Sequence, residues 1–145
     1  MKRIARTAIV AHSAEQVYAL VEDIDSYPRF LPWCAEARIL ERNGRVKARI
    51  TAALRGLRQT FTTSNDNRPG ESIDMHLVEG PFRRFDAAWR FTRLSATACR
   101  IEFTLEYEFT SRVLAVLLDP LFDRIADTMV DAFARRADAV YGTDG

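Results

Sequence analysis

Apolar and polar residues alternate through the middle of the chain. The pattern is clearest from residue 99 to residue 109, where every second residue is apolar and most residues between them are charged or polar. Residues 46–52, 73–77 and 85–91 alternate in the same way. A period of two residues indicates strands with one buried face, and short connections between such strands indicate hairpins. The alternation therefore predicts an antiparallel meander with one apolar face.

Turn signals separate these segments. Asn43-Gly44 is typical of a type I′ hairpin, a turn that needs a positive φ at both central residues. Further breaks are typical of turns because they contain glycine, proline or small polar residues. They are Arg55-Gly56, Pro69-Gly70, Gly80-Pro81 and Ser95-Ala96-Thr97.

Helical patterns lie on both sides of the meander. Ser13, followed by Gln16 at the third helical position, predicts a helix start with a capping box. From residue 114 to residue 140 apolar residues recur with a helical period over about seven turns. Within this stretch Asp119-Pro120 predicts either a kink or a fresh start with Asp119 as the N-cap. Asp119, Asp123, Asp127 and Asp131 lie four residues apart and repel one another, so we expect a solvated face.

The sheet needs a cover for its apolar face, and the long C-terminal helix can supply it. One helix is about 10–12 Å across, whereas a sheet of several strands at about 4.8 Å spacing is much wider. The sheet must therefore curve strongly around the helix. We expect one α+β domain, residues 1–145, with a curved antiparallel sheet wrapped around the C-terminal helix and a hydrophobic cavity between them.

The composition fits a single globular domain. Apolar residues make up 48% of the 145 residues and charged residues 28%, close to the globular average. No apolar run approaches the roughly 18 residues of a membrane span, and the N-terminus lacks the apolar core of a secretory signal. Cys34 and Cys99 stand outside any CxxC motif, which fits a reducing compartment. We expect a soluble cytoplasmic protein, with peripheral contact at the inner membrane left open.

Basic residues are concentrated in one section of the chain, although the net charge of the whole chain is only +1. Residues 36–60 contain seven basic side chains and two acidic ones. Because the inward strand residues there are apolar, we expect Arg38, Lys47, Arg49 and Arg58 to project from the outer face. The simplest interpretation is a solvated face. The alternative is contact with phosphates, either of RNA or of anionic lipid headgroups.

Signals for catalysis are missing from the sequence. It contains no GxxxxGK[ST], GxGxxG, HExxH or GxSxG motif. We expect His12 and His76, the two histidines, to lie at the surface. Cys34 follows Trp33 in an apolar setting and is expected to be a packed thiol. We therefore expect no catalytic residue, no metal site and no cofactor, and a protein that binds rather than an enzyme.

Three segments carry a family resemblance. Residues 21–34 read VEDIDSYPRFLPWC, residues 79–83 read EGPFR with WRF at 89–91, and residues 129–133 read MVDAF, with Arg136-Ala137 and Tyr141-Gly142 following. In this order the chain resembles the coenzyme Q-binding, START-like proteins of the polyketide cyclase superfamily, whose bacterial members are also called ribosome association toxins. The resemblance implies the helix-grip fold with its internal hydrophobic cavity. One departure is Asp86-Ala87-Ala88, where the family pattern has an apolar residue and then glycine.

Two groups of residues are candidates for binding. Pro28 and Pro32 hold Phe30 and Trp33 on a short segment near the mouth of the expected cavity, and Phe82 lies in a turn as a candidate gate. The candidates for ligand contact are Phe30, Trp33, Phe61, Met75, Phe82, Trp89, Phe103, Leu121, Ile125 and Met129. The candidates for ribosome or membrane contact are Arg38, Lys47, Arg49 and Arg58.

Two functions follow from the resemblance. The first is non-catalytic binding of a lipophilic quinone, ubiquinone, by a carrier or chaperone in respiratory electron transport. An apolar cavity suits an isoprenoid chain because each buried methylene contributes about 0.8 kcal/mol. The alternative is a ribosome association toxin that binds the large ribosomal subunit and blocks subunit joining. The expected partner is thus a lipophilic small molecule, with the large ribosomal subunit or a membrane surface as alternatives and with no transmembrane segment.

Overall fold

Seven strands and two α-helices make up residues 2–142, the part of the chain that the computed structural model describes. The elements are, in chain order, β1 (Lys2–Val10), α1 (Ala14–Glu22), a 3₁₀ helix (Ile24–Arg29), β2 (Cys34–Asn43), β3 (Arg45–Leu54), β4 (Leu57–Arg68), β5 (Ser72–Glu79), β6 (Phe82–Ser95), β7 (Ala98–Phe109) and α2 (Arg112–Tyr141). The predicted α+β class is confirmed.

The strands form one antiparallel sheet with the order β1-β7-β6-β5-β4-β3-β2. Strands β2 to β7 follow one another as hairpins, which confirms the predicted meander. The first strand lies beside the last one, with a register that runs from Lys2 opposite Tyr107 to Val10 opposite Cys99. The sheet therefore begins and ends its chain path at the same edge.

The turn geometry differs from the prediction at one hairpin. Positive φ at both central residues occurs at Arg55 (50°) and Gly56 (83°), between the paired residues Leu54 and Leu57. At Asn43-Gly44 only the glycine has a positive φ, 77°, and Asn43 still pairs with β3. The type I′ prediction at Asn43-Gly44 is therefore wrong, because β2 continues one residue further than the motif suggests.

The apolar side chains of the strands face α2. In β7 every second residue, from Cys99 to Phe109, is at most 5% exposed. Phe122 and Phe133 of α2 are buried against aromatic rings of the sheet, such as Tyr107 and Trp89. Each large apolar side chain buried in this way contributes about 1.5–3 kcal/mol. The core thus lies between the concave face of the sheet and the long helix, as predicted.

Both α-helices begin with a side-chain cap. The predicted capping box of α1 is present, since the Gln16 amide donates to Ser13 Oγ at 3.1 Å and the Ser13 amide donates to Gln16 Oε1 at 3.0 Å. In α2 the Leu114 amide donates to Ser111 Oγ at 3.2 Å. These bonds satisfy amide groups that a helix start otherwise leaves unpaired.

Helix α2 runs without interruption from Arg112 to Tyr141, with Pro120 inside it. A fresh start at Asp119 is therefore excluded. The Asp119 carboxylate instead accepts a hydrogen bond from the Tyr107 hydroxyl at 3.2 Å. Pro120 removes one intrahelical hydrogen bond, and its exposed position in the third turn keeps that loss on the solvent side of the helix.

A polar seam joins β1 to α2. Lys2 Nζ lies 2.5 Å from Asp123 Oδ1, and an Arg6 guanidinium nitrogen lies 2.7 Å from Asp127 Oδ1. The side chains of Asp123 and Asp127 are 46% and 58% exposed, so the expected solvated face is confirmed, and β1 supplies cations to it. Asp131 is exposed as expected.

The seam ends at a buried histidine. His12 is 7% exposed, and its Nε2 lies 2.7 Å from Asp138 Oδ1. The Tyr141 ring lies beside the imidazole, with 5.8 Å between the ring centroids. The expectation that His12 lies at the surface is therefore wrong, because the last turns of α2 cover it. His76 is exposed, as expected.

Candidate functional site

A small apolar cavity lies between the inner face of the sheet and α2. Its free volume is about 50 Å³, room for only a few water molecules. Pockets that hold drug-sized ligands measure about 300–1,000 Å³. The predicted internal cavity is therefore present, but in this conformation it is too small for a prenylated quinone.

Most of the predicted ligand-contact residues meet at this cavity. Those that line it come from the segment before β2, from one inward position on each of the four strands β4 to β7, and from two successive turns of α2. They are Trp33, Phe61, Met75, Trp89, Phe103, Ile125 and Met129. Their role as ligand contacts stays a prediction, since the structure shows their position alone.

Three predicted residues lie outside the cavity lining. Phe30 packs on Phe133, with 5.1 Å between the ring centroids, and the Arg136 guanidinium carbon lies 4.9 Å from the Phe30 centroid. Phe82 is 6% exposed and stacks on Phe109 with 4.9 Å between the ring centroids. Leu121 is completely buried. In this conformation all three are packing residues.

A cluster of aromatic rings explains both the small cavity and the position of Phe82. The centroid distances between neighbouring rings lie between 4.9 and 6.2 Å. The cluster consists of Phe61, Phe82, Phe85, Tyr107, Phe109 and Phe122. It fills the space under the sheet near the start of α2, so the cavity is restricted to the region closer to the middle of the helix.

The sequence prediction missed several residues of the lining. Among them are three polar residues of β4, Thr63, Asn65 and Asn67. They follow Phe61 at every second position, so the alternation extended along β4 would have found them. The others that were missed are Val21, Glu22, Ile24, Tyr27 and Phe122. The lining also contains five residues of the apolar strand face that the alternation predicts, Ile50, Ile73, Phe85, Ala87 and Leu105.

The polar groups of the lining are unevenly satisfied. Thr63 Oγ1 donates to Asn65 Oδ1 at 2.8 Å, and Glu22 lies 3.4 Å from Arg42. Trp33 Nε1 and Asn67 Oδ1 are buried without a hydrogen-bond partner within residues 2–142. The cavity is thus mainly apolar, with two polar atoms left unpaired in its wall.

A second candidate site lies on the outer face of the sheet. The basic face, which we define as Arg38, Lys47, Arg49 and Arg58, spans β2, β3 and β4. The three arginines are exposed and Lys47 is half-buried. The predicted outward direction agrees with the register, in which their strand neighbours Ala48 and Ile50 are buried. A role in binding stays a prediction.

The basic face has few counter-charges. Arg38 lies directly opposite Arg49 in the β2–β3 register, and like charges in that position repel. Arg58 lies 4.0 Å from Glu36. Within residues 2–142 no carboxylate lies within 4.0 Å of the charged groups of Arg38, Lys47 or Arg49. Most cations of the basic face are therefore not neutralised by a neighbouring carboxylate, and such a surface attracts anions.

The groups that could support catalysis are dispersed. His76 Nδ1 lies 3.4 Å from Asp86 at an exposed position of the outer face. Cys34 is 5% exposed, and burial raises the pKa of its thiol to about 11. Burial also raises the pKa of Cys99. Cys34 is thus the packed thiol that the sequence predicted, because a protonated thiol is a poor nucleophile.

Metal-binding groups and membrane-spanning helices are both missing from residues 2–142. No group of three or more His, Cys, Asp or Glu side chains in this part of the chain is arranged to hold a metal ion. None of the helices in this part combines the length and the apolar character that crossing a bilayer requires.

Comparisons with known proteins agree with this architecture. Residues 10–134 match the family described as polyketide cyclase/dehydrase and lipid transport. Over 142 residues the chain is 46% identical to the ribosome association toxin RatA of Escherichia coli, covering 97% of this chain and 90% of that protein. It is 27% identical to a mitochondrial coenzyme Q-binding protein COQ10 homolog B of Xenopus laevis, covering 97% of this chain and 61% of that protein.

A solved structure shows the same fold. The Zhui aromatase/cyclase from Streptomyces sp. R1128 superposes with a TM-score of 0.84 and 19% sequence identity, covering 94% of this chain and 93% of that chain. At this identity the similarity concerns the fold alone. The helix-grip architecture is thereby confirmed.

Proposed function

The chain belongs to the polyketide cyclase/dehydrase and lipid transport family. Within this family, we propose that it acts as a ribosome association toxin. In this proposal it binds the large ribosomal subunit in the cytoplasm and blocks subunit joining. The observation that carries the proposal is the 46% identity, over 97% of the chain, to an Escherichia coli protein named for ribosome association.

The basic face supports this proposal and supplies the contact. Ribosomal RNA presents a dense array of phosphates, and arginine binds a phosphate through two parallel hydrogen bonds. A phosphate placed between Arg38 and Arg49 would replace their mutual repulsion with two attractions. Binding would release counterions and would therefore weaken steeply as the salt concentration rises.

The arrangement of polar groups supports binding without chemistry. The imidazoles are far apart in the fold, with His12 buried against Asp138 and His76 exposed on the outer face. The raised pKa of Cys34 keeps that thiol protonated at neutral pH. We propose that the protein is not an enzyme and that it acts without a cofactor.

Sedimentation with purified large subunits tests the proposal. The test variant changes Lys47, Arg49 and Arg58 to Gln. The matched control changes Arg3, Arg84 and Arg90 to Gln, three cations of the outer face that lie next to carboxylates. We expect the test variant to bind at least about tenfold more weakly, and the slope of log affinity against log salt to fall by about two to three, because each lost phosphate contact removes nearly one released counterion.

The matched control decides how the result is read. We expect it to bind like the wild-type protein and to leave subunit joining blocked, as followed by light scattering. Equal weakening in both triple variants would mean that net charge alone matters, and it would contradict a site on the basic face. Unchanged binding in the test variant would contradict it as well.

A second candidate function is binding of a lipophilic quinone in the cavity, as a carrier or chaperone in respiratory electron transport. The observation that favours it is the apolar lining, which contains both Met75 and Met129. Methionine side chains adapt readily to ligands of different shape, and such movement is needed because the free volume is about 50 Å³. The similarity to a relative named as coenzyme Q-binding supports the same idea.

Organic extraction of the protein purified from its own host tests the second function. We expect a quinone at near-stoichiometric amount, detected also by native mass spectrometry. A protein that carries no quinone and takes up no short-tail ubiquinone analogue would contradict this function, and it would leave the ribosome proposal unaffected.

A further inference from the structure

Two unpaired polar atoms in the cavity wall suggest what a ligand must offer. Among the side-chain nitrogen and oxygen atoms of residues 2–142, the buried ones without a hydrogen-bond partner are Trp33 Nε1 and Asn67 Oδ1. Both residues line the cavity. Buried polar groups are paired in more than about 90% of cases, so such exceptions call for a physical reason.

The Trp33 indole is shielded from bulk solvent. Trp33 is 2% exposed, and its backbone carbonyl accepts a hydrogen bond from the Ala53 amide at 2.8 Å. The next residue is held as well, since the Cys34 amide donates to the Leu31 carbonyl at 2.9 Å. The indole N–H is a donor only. A partner for it must therefore be a hydrogen-bond acceptor, such as an oxygen of a molecule in the cavity that Trp33 lines.

The lining favours an uncharged ligand. Its one carboxylate, Glu22, lies beside Arg42 at 3.4 Å. The Tyr27 hydroxyl donates to the Val21 carbonyl, and burial raises the pKa of Tyr27. An ionic ligand would be buried without a counter-charge, which is costly.

A carbonyl oxygen is the simplest partner for the Trp33 donor. A hydroxyl oxygen would also accept from Trp33, but its proton would need an acceptor of its own, and the one left unpaired in the wall is Asn67 Oδ1. A carbonyl accepts a hydrogen bond and donates none. The rest of such a ligand must be apolar, because most of the lining is.

We propose that the cavity takes an uncharged lipophilic molecule whose carbonyl oxygen accepts a hydrogen bond from Trp33 Nε1. This inference rests on the second candidate function and names the residue that recognises the polar end of the ligand. Met75 and Met129 supply the adaptability that admits a molecule larger than the present free space.

A pair of isosteric probes tests the donor. Acetophenone carries a carbonyl oxygen, and α-methylstyrene has the same shape with a methylene group in its place. Dissociation constants for both are measured by NMR titration of the wild-type protein, of Trp33→Phe and of Ile50→Val, a control that changes the lining but keeps the donor. We expect Trp33→Phe to weaken acetophenone binding about three- to tenfold and α-methylstyrene binding by less than about twofold. The Ile50→Val control should affect both probes alike.

A second measurement needs no variant. In the wild-type protein, acetophenone should shift the Trp33 indole N–H resonance downfield, whereas α-methylstyrene should not. Equal weakening of both probes by Trp33→Phe, or the same shift with both probes, would overturn the proposal while leaving the cavity as a binding site. Failure of both probes to bind the wild-type protein would overturn it together with the second candidate function, and the ribosome proposal would stand apart.

Discussion

The inner face of the sheet is closed by the protein itself, whereas the outer face is left to solvent and partners. On β7 the inward side chains are at most 5% exposed, and the free space beneath the sheet is about 50 Å³. On β3 the outward side chain of Arg49 has no carboxylate within 4.0 Å among residues 2–142. Access and charge therefore both favour the outer face as the place where a macromolecule binds.

The outer face is itself divided. Across β1 and β5–β7 several of its charges are paired, as in Arg90 with Asp74 at 2.9 Å and His76 with Asp86 at 3.4 Å. Across β2–β4 the basic face places Arg38 opposite Arg49. Exposed pairs contribute little to stability, so the contrast matters for recognition more than for folding. A surface that keeps like charges together is suited to an anionic partner.

The largest effect on stability should come from a charge placed in the apolar core between the inner face of the sheet and α2. Ile125 is 4% exposed, so Ile125→Arg buries an unpaired charge and should lower the free energy of unfolding by about 4 kcal/mol or more. Val116 lies on the same helix and is 77% exposed. Val116→Arg should therefore stay within about 0.5 kcal/mol of the wild-type protein in urea unfolding. Similar stabilities of the two variants would show that the inner face is not closed by packing.

The next effect should come from reversing charge on the basic face. The double variant Arg38→Glu, Arg49→Glu replaces two cations that are expected to contact phosphates with carboxylates, and like-charge contacts oppose binding strongly. We expect the dissociation constant for large subunits to rise about 100-fold at moderate salt, as measured by sedimentation. Arg93→Glu with Arg100→Glu changes the net charge equally at exposed positions elsewhere on the sheet and should change it less than about threefold. Equal losses would remove the distinction between the two parts of the outer face.

A smaller effect concerns stability, and here we expect the free energy of unfolding to rise. In Arg38→Glu alone the new carboxylate faces Arg49 across the β2–β3 pair. An opposite-charge pair should raise the free energy of unfolding by about 0.2–1 kcal/mol while subunit binding weakens. Arg38→Gln removes the repulsion without adding an attraction. Its free energy of unfolding should therefore lie between those of the wild-type protein and of Arg38→Glu. A lower stability for Arg38→Glu would mean that the two arginines do not repel in the native protein.

The effect that is smallest at neutral pH is that of the buried thiols, which changes stability only in alkaline solution. Burial raises the pKa of Cys34 from its ordinary value of 9.0 to about 11, and it also raises that of Cys99. A raised folded-state pKa contributes stability that is complete below the unfolded pKa and is lost as pH rises through the folded one. We expect no contribution to pH dependence between pH 6 and pH 8, and a decline between about pH 9 and pH 11 that Cys34→Ala reduces. An unchanged decline in Cys34→Ala would place the titrating group elsewhere.

Features set by near neighbours could be predicted from the sequence. Alternation located β7, and the Ser13 and Gln16 pattern located the start of α1. The partners of His12, Asp123 and Asp127 could not be predicted, because they lie more than 120 residues away in the chain. A helical period also does not show where along its length a helix borders open space, which is why Leu121 was assigned to the cavity.

The size and polarity of the cavity needed coordinates for a different reason. Packing of six aromatic rings decides how much space remains, and ring packing depends on side-chain directions that spacing does not specify. The unpaired Trp33 Nε1 is likewise invisible in the sequence, because the absence of a partner is a property of everything around the indole. By contrast, Asn65 and Asn67 were within reach, since they continue the inward alternation of Phe61 along β4.

The pairing of β1 with β7 also determines when this chain can fold. Val10 pairs with Cys99, and Lys2 reaches Asp123 on α2. During synthesis β1 therefore waits, without its partner strand, until the whole meander and much of α2 have left the ribosome. Contacts between distant segments form slowly because the chain entropy is lost before the contacts reward it. The β2–β7 hairpins can assemble as they emerge, whereas β1 and its contacts with α2 can form only after them.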